Sequence, residues 1–200
     1  LISTAEAIKN SNLDLSLLDL SRCGVIWGSG IGGLNTMSSE IESYVLGNKV
    51  PRFSPFFIPK MISDIAAGLI SIKYGFRGPN FSTVSACASS TNSIIEAYHY
   101  IKLGKSDVMI SGGSEASVNE AALGGFNALR ALSTRNEEPS KASRPFDSGR
   151  DGFVLGEGSG TIILEEYEHA KKRGANIYCE VKGTGTSGDA YHLTAPEPNG

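Results

Sequence analysis

The sequence predicts an α/β architecture on three observations. Short apolar, β-branched runs alternate with longer segments whose apolar residues recur at helical spacing. Glycine stands at the ends of most of these runs, where a chain turns sharply or comes close to another backbone. Hydrophobic residues make up 40% and charged residues 20%, a balance that supports a packed core and lies far from the regime of disorder. Glycine is in excess, at 24 of 200 residues against a usual level of about 7%. A chain this long is one large domain or part of a larger one, and buries about 70% of its unfolded surface on folding.

The elements follow in order. After a polar start, helical or irregular, Gly24-Val25-Ile26-Trp27 reads as a buried strand running into the loop Gly28-Ser29-Gly30-Ile31-Gly32-Gly33. A helix is predicted over residues 35–46. Pro51, Pro55 and Pro59 punctuate the next stretch, and residues 60–74 carry Met61, Ile62, Ile65, Ala66, Leu69 and Ile70 at the spacing of one helix, ended by Gly75. Phe81-Ser82-Thr83-Val84-Ser85-Ala86 is strand-like, and residues 88–103 form a helix with Ile94, Ile95, Tyr98 and Ile101 on one side, capped by Gly104. Asp107-Val108-Met109-Ile110-Ser111 is a second buried strand. Residues 152–155 and 160–164 read as two more strands in a hairpin through Gly156-Glu157-Gly158. A charged helix over residues 165–173 closes at Gly174, and residues 177–181 open another strand. A second unit is expected to start there, dividing the chain into 1–174 and 175–200.

Charge and cysteine usage narrow the function. A net charge of −3 gives no reason to expect nucleic acid or a membrane surface as partner. No apolar run approaches the roughly 18 residues of a membrane span, and no basic-then-apolar leader opens the chain, so a cytoplasmic protein is expected. Leu1 in place of an initiator methionine, and an end at Asn199-Gly200 in what reads as mid-loop, suggest a longer polypeptide. Cys23, Cys87 and Cys179 lie far apart without CxxC or Cys/His pairing, so neither a disulfide framework nor a metal site is indicated.

Cys87 stands where a buried strand turns into a helix, within Val84-Ser85-Ala86-Cys87-Ala88-Ser89-Ser90-Thr91. Free backbone N–H groups and the positive dipole end favour an anion there, which predicts a thiol shifted toward its reactive thiolate. The small Ala and Ser neighbours leave room for a thioester to approach, as in a nucleophile elbow with sulfur in place of oxygen. The competing reading is a small buried hydrophobe; Cys23, entering a strand, and Cys179, within one, keep that reading.

These residues carry a family resemblance. Ser85-Ala86-Cys87-Ala88-Ser89-Ser90 resembles the active-site cysteine segment of β-ketoacyl-[acyl carrier protein] synthases of the type II elongating class. Tyr74-Gly75-Phe76-Arg77-Gly78-Pro79, Ser111-Gly112-Gly113-Ser114-Glu115 and Ala131-Leu132-Ser133-Thr134-Arg135-Asn136 resemble further segments in the same order. Ser143-Arg144-Pro145-Phe146-Asp147 and Arg150-Asp151-Gly152-Phe153-Val154-Leu155-Gly156-Glu157-Gly158 complete the series. The resemblance implies a thiolase-like α/β fold, an αβαβα layered sandwich of two similar halves, of which this chain covers most of the first and the start of the second. It also implies a homodimer. The implied reaction loads an acyl group from acyl carrier protein onto Cys87, after which malonyl carrier protein loses carbon dioxide and its carbanion attacks the acyl thioester. No cofactor is implied.

Other residues follow from the resemblance alone. Ile31, Phe57 and Phe126 resemble positions lining the acyl pocket, with ordinary core packing an equal alternative, and Phe153 reads as core or pocket lining. The segment of Asp189, His192 and Thr194 resembles the loop that gates the pocket. Arg130, Arg135, Lys141, Arg144 and Arg150 form a basic stretch suited to an acidic carrier protein, with Arg130 and Arg135 as docking candidates; Arg144 and Arg150 are equally placed to pair with Asp147 and Asp151. The family's two catalytic histidines and lysine belong to the later half, and no segment here matches them. His99 and His169 read as structural, and a polypeptide ending at Gly200 is expected to be inactive in condensation.

Three rival readings are weaker. The glycine loop satisfies GxGxxG after a strand, yet no acidic residue ends a second strand about 20 positions on. Leu103-Gly104-Lys105-Ser106 mimics a P-loop end, but His99 stands where glycine is required. A non-catalytic partner subunit is disfavoured by Cys87, and a polyketide or aryl polyene ketosynthase stays open.

Overall fold

The computed structural model describes residues 1–199. A polar amphipathic run forms helix α1 (Ile2–Ser11), closed by Asn12 in the left-handed region at φ 51°. Two 3₁₀ turns follow, capped by Asp14 and Asp19, each of whose carboxylates accepts from the serine two residues on. Strand β1 (Cys23–Gly28) is buried at every residue. Beyond the glycine loop come helix α2 (Leu34–Leu46), helix α3 (Phe57–Met61) and helix α4 (Ile65–Tyr74), the last ended by Gly75 at φ +75°. Strand β2 (Asn80–Thr83), a 3₁₀ turn (Ala86–Ala88) and helix α5 (Ser89–Lys102) lead to strand β3 (Val108–Glu115). Helix α6 (Glu120–Ala128), strand β4 (Gly158–Glu165) and helix α7 (Tyr167–Lys172) complete the regular structure.

The strands form one sheet in the order β2-β1-β3-β4, with β1 parallel to β2 and β3, and β4 antiparallel to β3. Because side chains alternate across a strand, Val25 and Trp27 face one side of the sheet with Val108 and Ile110, against Ala67 and Ile70 of α4 and Phe76. Ile26 and Met109 face the other, against Ala97 of α5 and Leu164. The result is a helix, sheet, helix layering in which β1 lies at the centre.

Two bidentate ion pairs fasten the sheet's N-terminal end. Arg22 donates through Nε and Nη2 to Asp107, at 2.6 Å each. Arg173 donates through Nε and Nη2 to Glu165, at 2.7 Å each, and through Nη1 to the carbonyls of Ser11 and Asn12.

Four expectations are corrected. The single helix over residues 60–74 is two, because the Gly33 amide takes the Met61 carbonyl at 2.8 Å and Ile62 turns extended. Pro59 sits inside α3, in its first turn, where a missing N–H costs nothing. The hairpin over residues 152–164 does not form: β4 pairs with β3, while Phe153 makes an isolated parallel bridge to Leu132. Residues 177–181 are not a strand, and Cys179 is exposed rather than core. Among the described residues no helix is long and apolar enough to cross a membrane.

Candidate active site

Cys87 is exposed at the centre of the 3₁₀ turn between β2 and α5. Ala86 before it has φ +49°, a conformation that costs a non-glycine residue energy and survives only where its surroundings over-determine it. The surroundings are explicit. Ser89 donates from Oγ to the Ala86 carbonyl at 2.7 Å while its Oγ accepts from the Ser85 amide at 2.9 Å. Thr83 donates from Oγ1 to the Ser89 carbonyl at 2.8 Å, and Asn92 donates from Nδ2 to Ser85 Oγ at 2.6 Å. Beneath them Ser93 donates to the Gly112 carbonyl at 2.6 Å, seating α5 on β3. The start of α5 carries no side-chain cap.

The seat itself is bare backbone. A Cβ on Gly28 would come 2.5 Å from the Ser89 carbonyl and the Ser90 amide nitrogen, and one on Gly113 would run into the Ser90 side chain. Glycine at the ends of β1 and β3 is therefore what allows the first turn of α5 to lie on the sheet. Sequence reading marked Cys87 but missed Ser89, Asn92 and Ser93; their signal was a polar, small-residue helix start whose i, i+4 serines face the sheet instead of solvent.

The glycine loop is occupied by the chain's own carboxylate. Glu115 Oε2 accepts from the amides of Gly30 (2.7 Å) and Ile31 (2.8 Å), and Oε1 from that of Gly32 (3.2 Å). The N–H groups that a phosphate would take in a dinucleotide site are thus satisfied internally. A cleft of about 390 Å³ opens beside this loop, lined in part by Lys60, Glu115 and Glu157. A second hollow of about 480 Å³ borders the thiol turn, lined by Thr83, Val84, Ser85, Asn92, Glu96 and Thr186 among others.

The remaining sequence-predicted residues fall into separate groups. Ile31 is exposed on the glycine loop. Phe57 is half-buried and stacks on Phe53 at 5.4 Å, which stacks on Tyr44. Phe126 meets Phe153 edge-on at 5.1 Å, a pair brought together by the Leu132 bridge. In the exposed loop of Asp189, His192 and Thr194, His192 Nδ1 accepts from the Thr194 and Ala195 amides at 3.1 Å each, and Asp189 accepts from the Glu197 amide at 3.0 Å.

The basic stretch divides as well. Arg130 is exposed at φ +53°, and its guanidinium has no hydrogen-bond partner among the described residues. Arg135 instead donates to the Gly149 carbonyl at 2.8 Å, and Arg144 pairs with Asp147 at 3.0 Å. Arg144 beside Asp147 holds that carboxyl below its ordinary value. Asp151 binds Ser133 and Thr134 rather than Arg150.

The other thiols and the imidazoles have different settings. Burial pushes the Cys23 thiol up to about 11. His99 Nε2 meets Thr184 Oγ1 at 3.1 Å, and His169 Nδ1 meets Glu165 at 2.6 Å.

Comparison with known proteins places this geometry. The profile for the β-ketoacyl synthase N-terminal domain matches residues 1–170. The chain is 51% identical over its whole length to a 3-oxoacyl-[acyl-carrier-protein] synthase 2 of Staphylococcus aureus, covering 49% of that protein. Over 98% of its length it is 48% identical to the synthase of the same name from Coxiella burnetii, covering 47% of it. The chain thus spans about half the length of these curated relatives. Among solved structures, a β-ketoacyl synthase from Burkholderia phymatum STM815 superposes with a TM-score of 0.82 at 36% identity, over 98% of this chain and 49% of that one. A ketosynthase complexed with its type II polyketide acyl-carrier protein and bound to a hexaketide superposes with a TM-score of 0.80 at 34% identity, over 86% and 43% of the two chains. The thiolase-like α/β fold expected from the sequence is the fold these neighbours share.

Proposed function

The chain belongs to the β-ketoacyl synthase family, and on that premise we propose that the protein holds an acyl group as a thioester on Cys87 and condenses it with a malonyl unit in fatty acid elongation. In the first half-reaction Cys87 Sγ attacks the thioester carbonyl of acyl carrier protein, and the carrier's thiol leaves. In the second, malonyl carrier protein loses carbon dioxide and the resulting carbanion attacks the Cys87 thioester. Sulfur leaves as thiolate, and the product is β-ketoacyl carrier protein. The observation that carries the reading is an exposed thiol on an over-determined elbow at the uncapped start of a 14-residue helix, where nucleophilic cysteines gain reactivity.

The histidines and lysine that assist decarboxylation are assigned by the family resemblance to the later half, and His99, His169 and His192 are not offered in their place. Arg130, being unpaired, is the docking residue for the acidic carrier; Arg135 is committed to Gly149. Ile31, Phe57, Phe126 and Phe153 as pocket lining, the gating role of the loop of Asp189, His192 and Thr194, the boundary near residue 174, a homodimer and a cytoplasmic setting belong to the same proposal. Fatty acid elongation is preferred to polyketide synthesis because identity is 51% to a 3-oxoacyl synthase and 34% to a polyketide ketosynthase.

The test uses the full-length protein with radiolabelled acyl carrier protein. Label is expected on the peptide containing Cys87 and is lost in Cys87→Ala; Arg130→Glu slows labelling without changing alkylation of the thiol by iodoacetamide. Undiminished labelling of Cys87→Ala removes the reading.

A further inference from the structure

Residues 86–88, which carry the thiol, are all exposed, so burial does not hold them in place. The Ala88 amide closes the turn on the Ser85 carbonyl at 3.0 Å, but turns of either hand make a bond of this kind. It leaves open the sign of φ at Ala86, which stands at +49°.

One side chain among the described residues bonds to the backbone of this turn, that of Ser89, which is 3% exposed. Its Oγ accepts from the Ser85 amide at 2.9 Å and donates to the Ala86 carbonyl at 2.7 Å. A single hydroxyl thus bridges the amide that enters the turn and the carbonyl that precedes Cys87, giving and taking at once as a hydroxyl can. The post itself belongs to the sheet. The Ser89 carbonyl accepts from Thr83 Oγ1 at the end of β2 at 2.8 Å, and the Ser89 backbone lies against Gly28 at the end of β1. Ser93, one helical turn on, donates to the Gly112 carbonyl of β3 at 2.6 Å. The sheet therefore places the hydroxyl, and the hydroxyl places the exposed turn.

We propose that Ser89 is a positioning residue for Cys87: its hydroxyl holds Ala86 left-handed and so passes the geometry of the sheet on to the sulfur. That the sulfur acts by taking an acyl group rests on the function proposed above; the hold on Ala86 does not.

Glycine takes positive φ without the steric penalty that alanine bears, so Ala86→Gly should make the hydroxyl dispensable. Three forms of the full-length protein are compared: the parent, Ser89→Ala, and Ser89→Ala combined with Ala86→Gly. Acylation of Cys87 is followed over a range of acyl carrier protein concentrations. Ser89→Ala is expected to lower the saturating rate about tenfold or more, with half-saturation within about twofold of the parent's, as for a misplaced reacting group. Adding Ala86→Gly is expected to return the rate to within about threefold of the parent's. A general loss of fold would not be repaired in this way, because glycine raises the entropy of the unfolded chain. Isotope-labelled alanine methyl groups read the turn without any acyl donor: the Ala86 methyl carbon frequency, which follows φ and ψ, is expected to shift in Ser89→Ala. An unmoved Ala86 signal, or a rate that Ala86→Gly does not restore, overturns the proposal. Should Ser89→Ala alone fail to fold, the double variant decides: it must fold and regain the rate just stated, and failure in either overturns the proposal. Should the parent take no acyl label, the proposed function falls, and the Ala86 signal decides the role of Ser89 by itself.

Discussion

Replacing Gly28 with alanine puts a methyl group where the chain has no space for one. The new Cβ would come 2.5 Å from the carbonyl carbon and oxygen of Ser89 and the amide nitrogen of Ser90, roughly 1 Å inside ordinary van der Waals contact. The obstructing atoms are backbone, so no rotamer change relieves the clash; α5 must lift or the end of β1 must shift. Overpacking of this kind costs about 1–3 kcal/mol, and a displacement near 1 Å at a reacting group corresponds to about a hundredfold loss of productive chemistry. Denaturant unfolding measures the first effect as a lower midpoint at unchanged slope, and the rate of Cys87 acylation measures the second. Gly68→Ala in α4 is the control: nothing lies within 4 Å of its built Cβ, and a helical glycine replaced by alanine gains about 0.5–1 kcal/mol. A Gly28→Ala protein with the parent's midpoint and acylation rate would show that α5 is not seated on the bare end of β1.

Two further outcomes follow from the thiols and the buried ion pair. Iodoacetamide followed by peptide mapping should label Cys87 first, exposed Cys179 after it, and Cys23 only on unfolding, because burial pushes the Cys23 thiol up to about 11. Labelling of Cys23 in the folded protein as fast as Cys87 contradicts this. Burial opposes ionisation of Glu165, but hydrogen bonds from Arg173 and His169 outweigh it and hold the carboxyl below its ordinary 4.5. A depressed folded value contributes stability that is fully present above about pH 4.5 and is lost as pH falls through the folded value. Glu165→Gln should therefore cost roughly 1–3 kcal/mol at neutral pH by removing the negative charge that Arg173 faces, and should flatten the decline of stability below pH 4.5. An acid limb as steep as the parent's would dismiss the pair as its source.

What could be read from the chain alone tracked local physics. β1 and β3 were legible because β-branched apolar runs between glycines have few other uses, and α5 because its apolar residues keep helical spacing over four turns. The elbow was legible from one cysteine among small residues at a strand-to-helix junction. The break between α3 and α4 was hidden because its cause is distant: the Gly33 amide captures the Met61 carbonyl. The misplaced hairpin has the same origin, since residues 152–155 and 160–164 have the right composition for strands but nothing local says that β4 pairs with β3. Glu115 was legible only as a motif position, because a carboxylate's partner 85 residues back in the chain leaves no periodic trace. Residues 177–181 were read as a strand, but they have no sheet neighbour among the described residues, and their apolar side chains are exposed.

The guanidinium of Arg173 reaches back across the molecule to the carbonyls that end the first helix, 162 residues earlier for Ser11. Those two carbonyls acquire their partner only once α7, whose C-cap is Arg173, is in place. During synthesis α1 therefore emerges with its C-terminal end unfinished and waits until Arg173, 162 residues further on, has been made. Early docking of that helix must rely on other contacts, and Arg173 acts afterwards as the latch that closes the assembled layers.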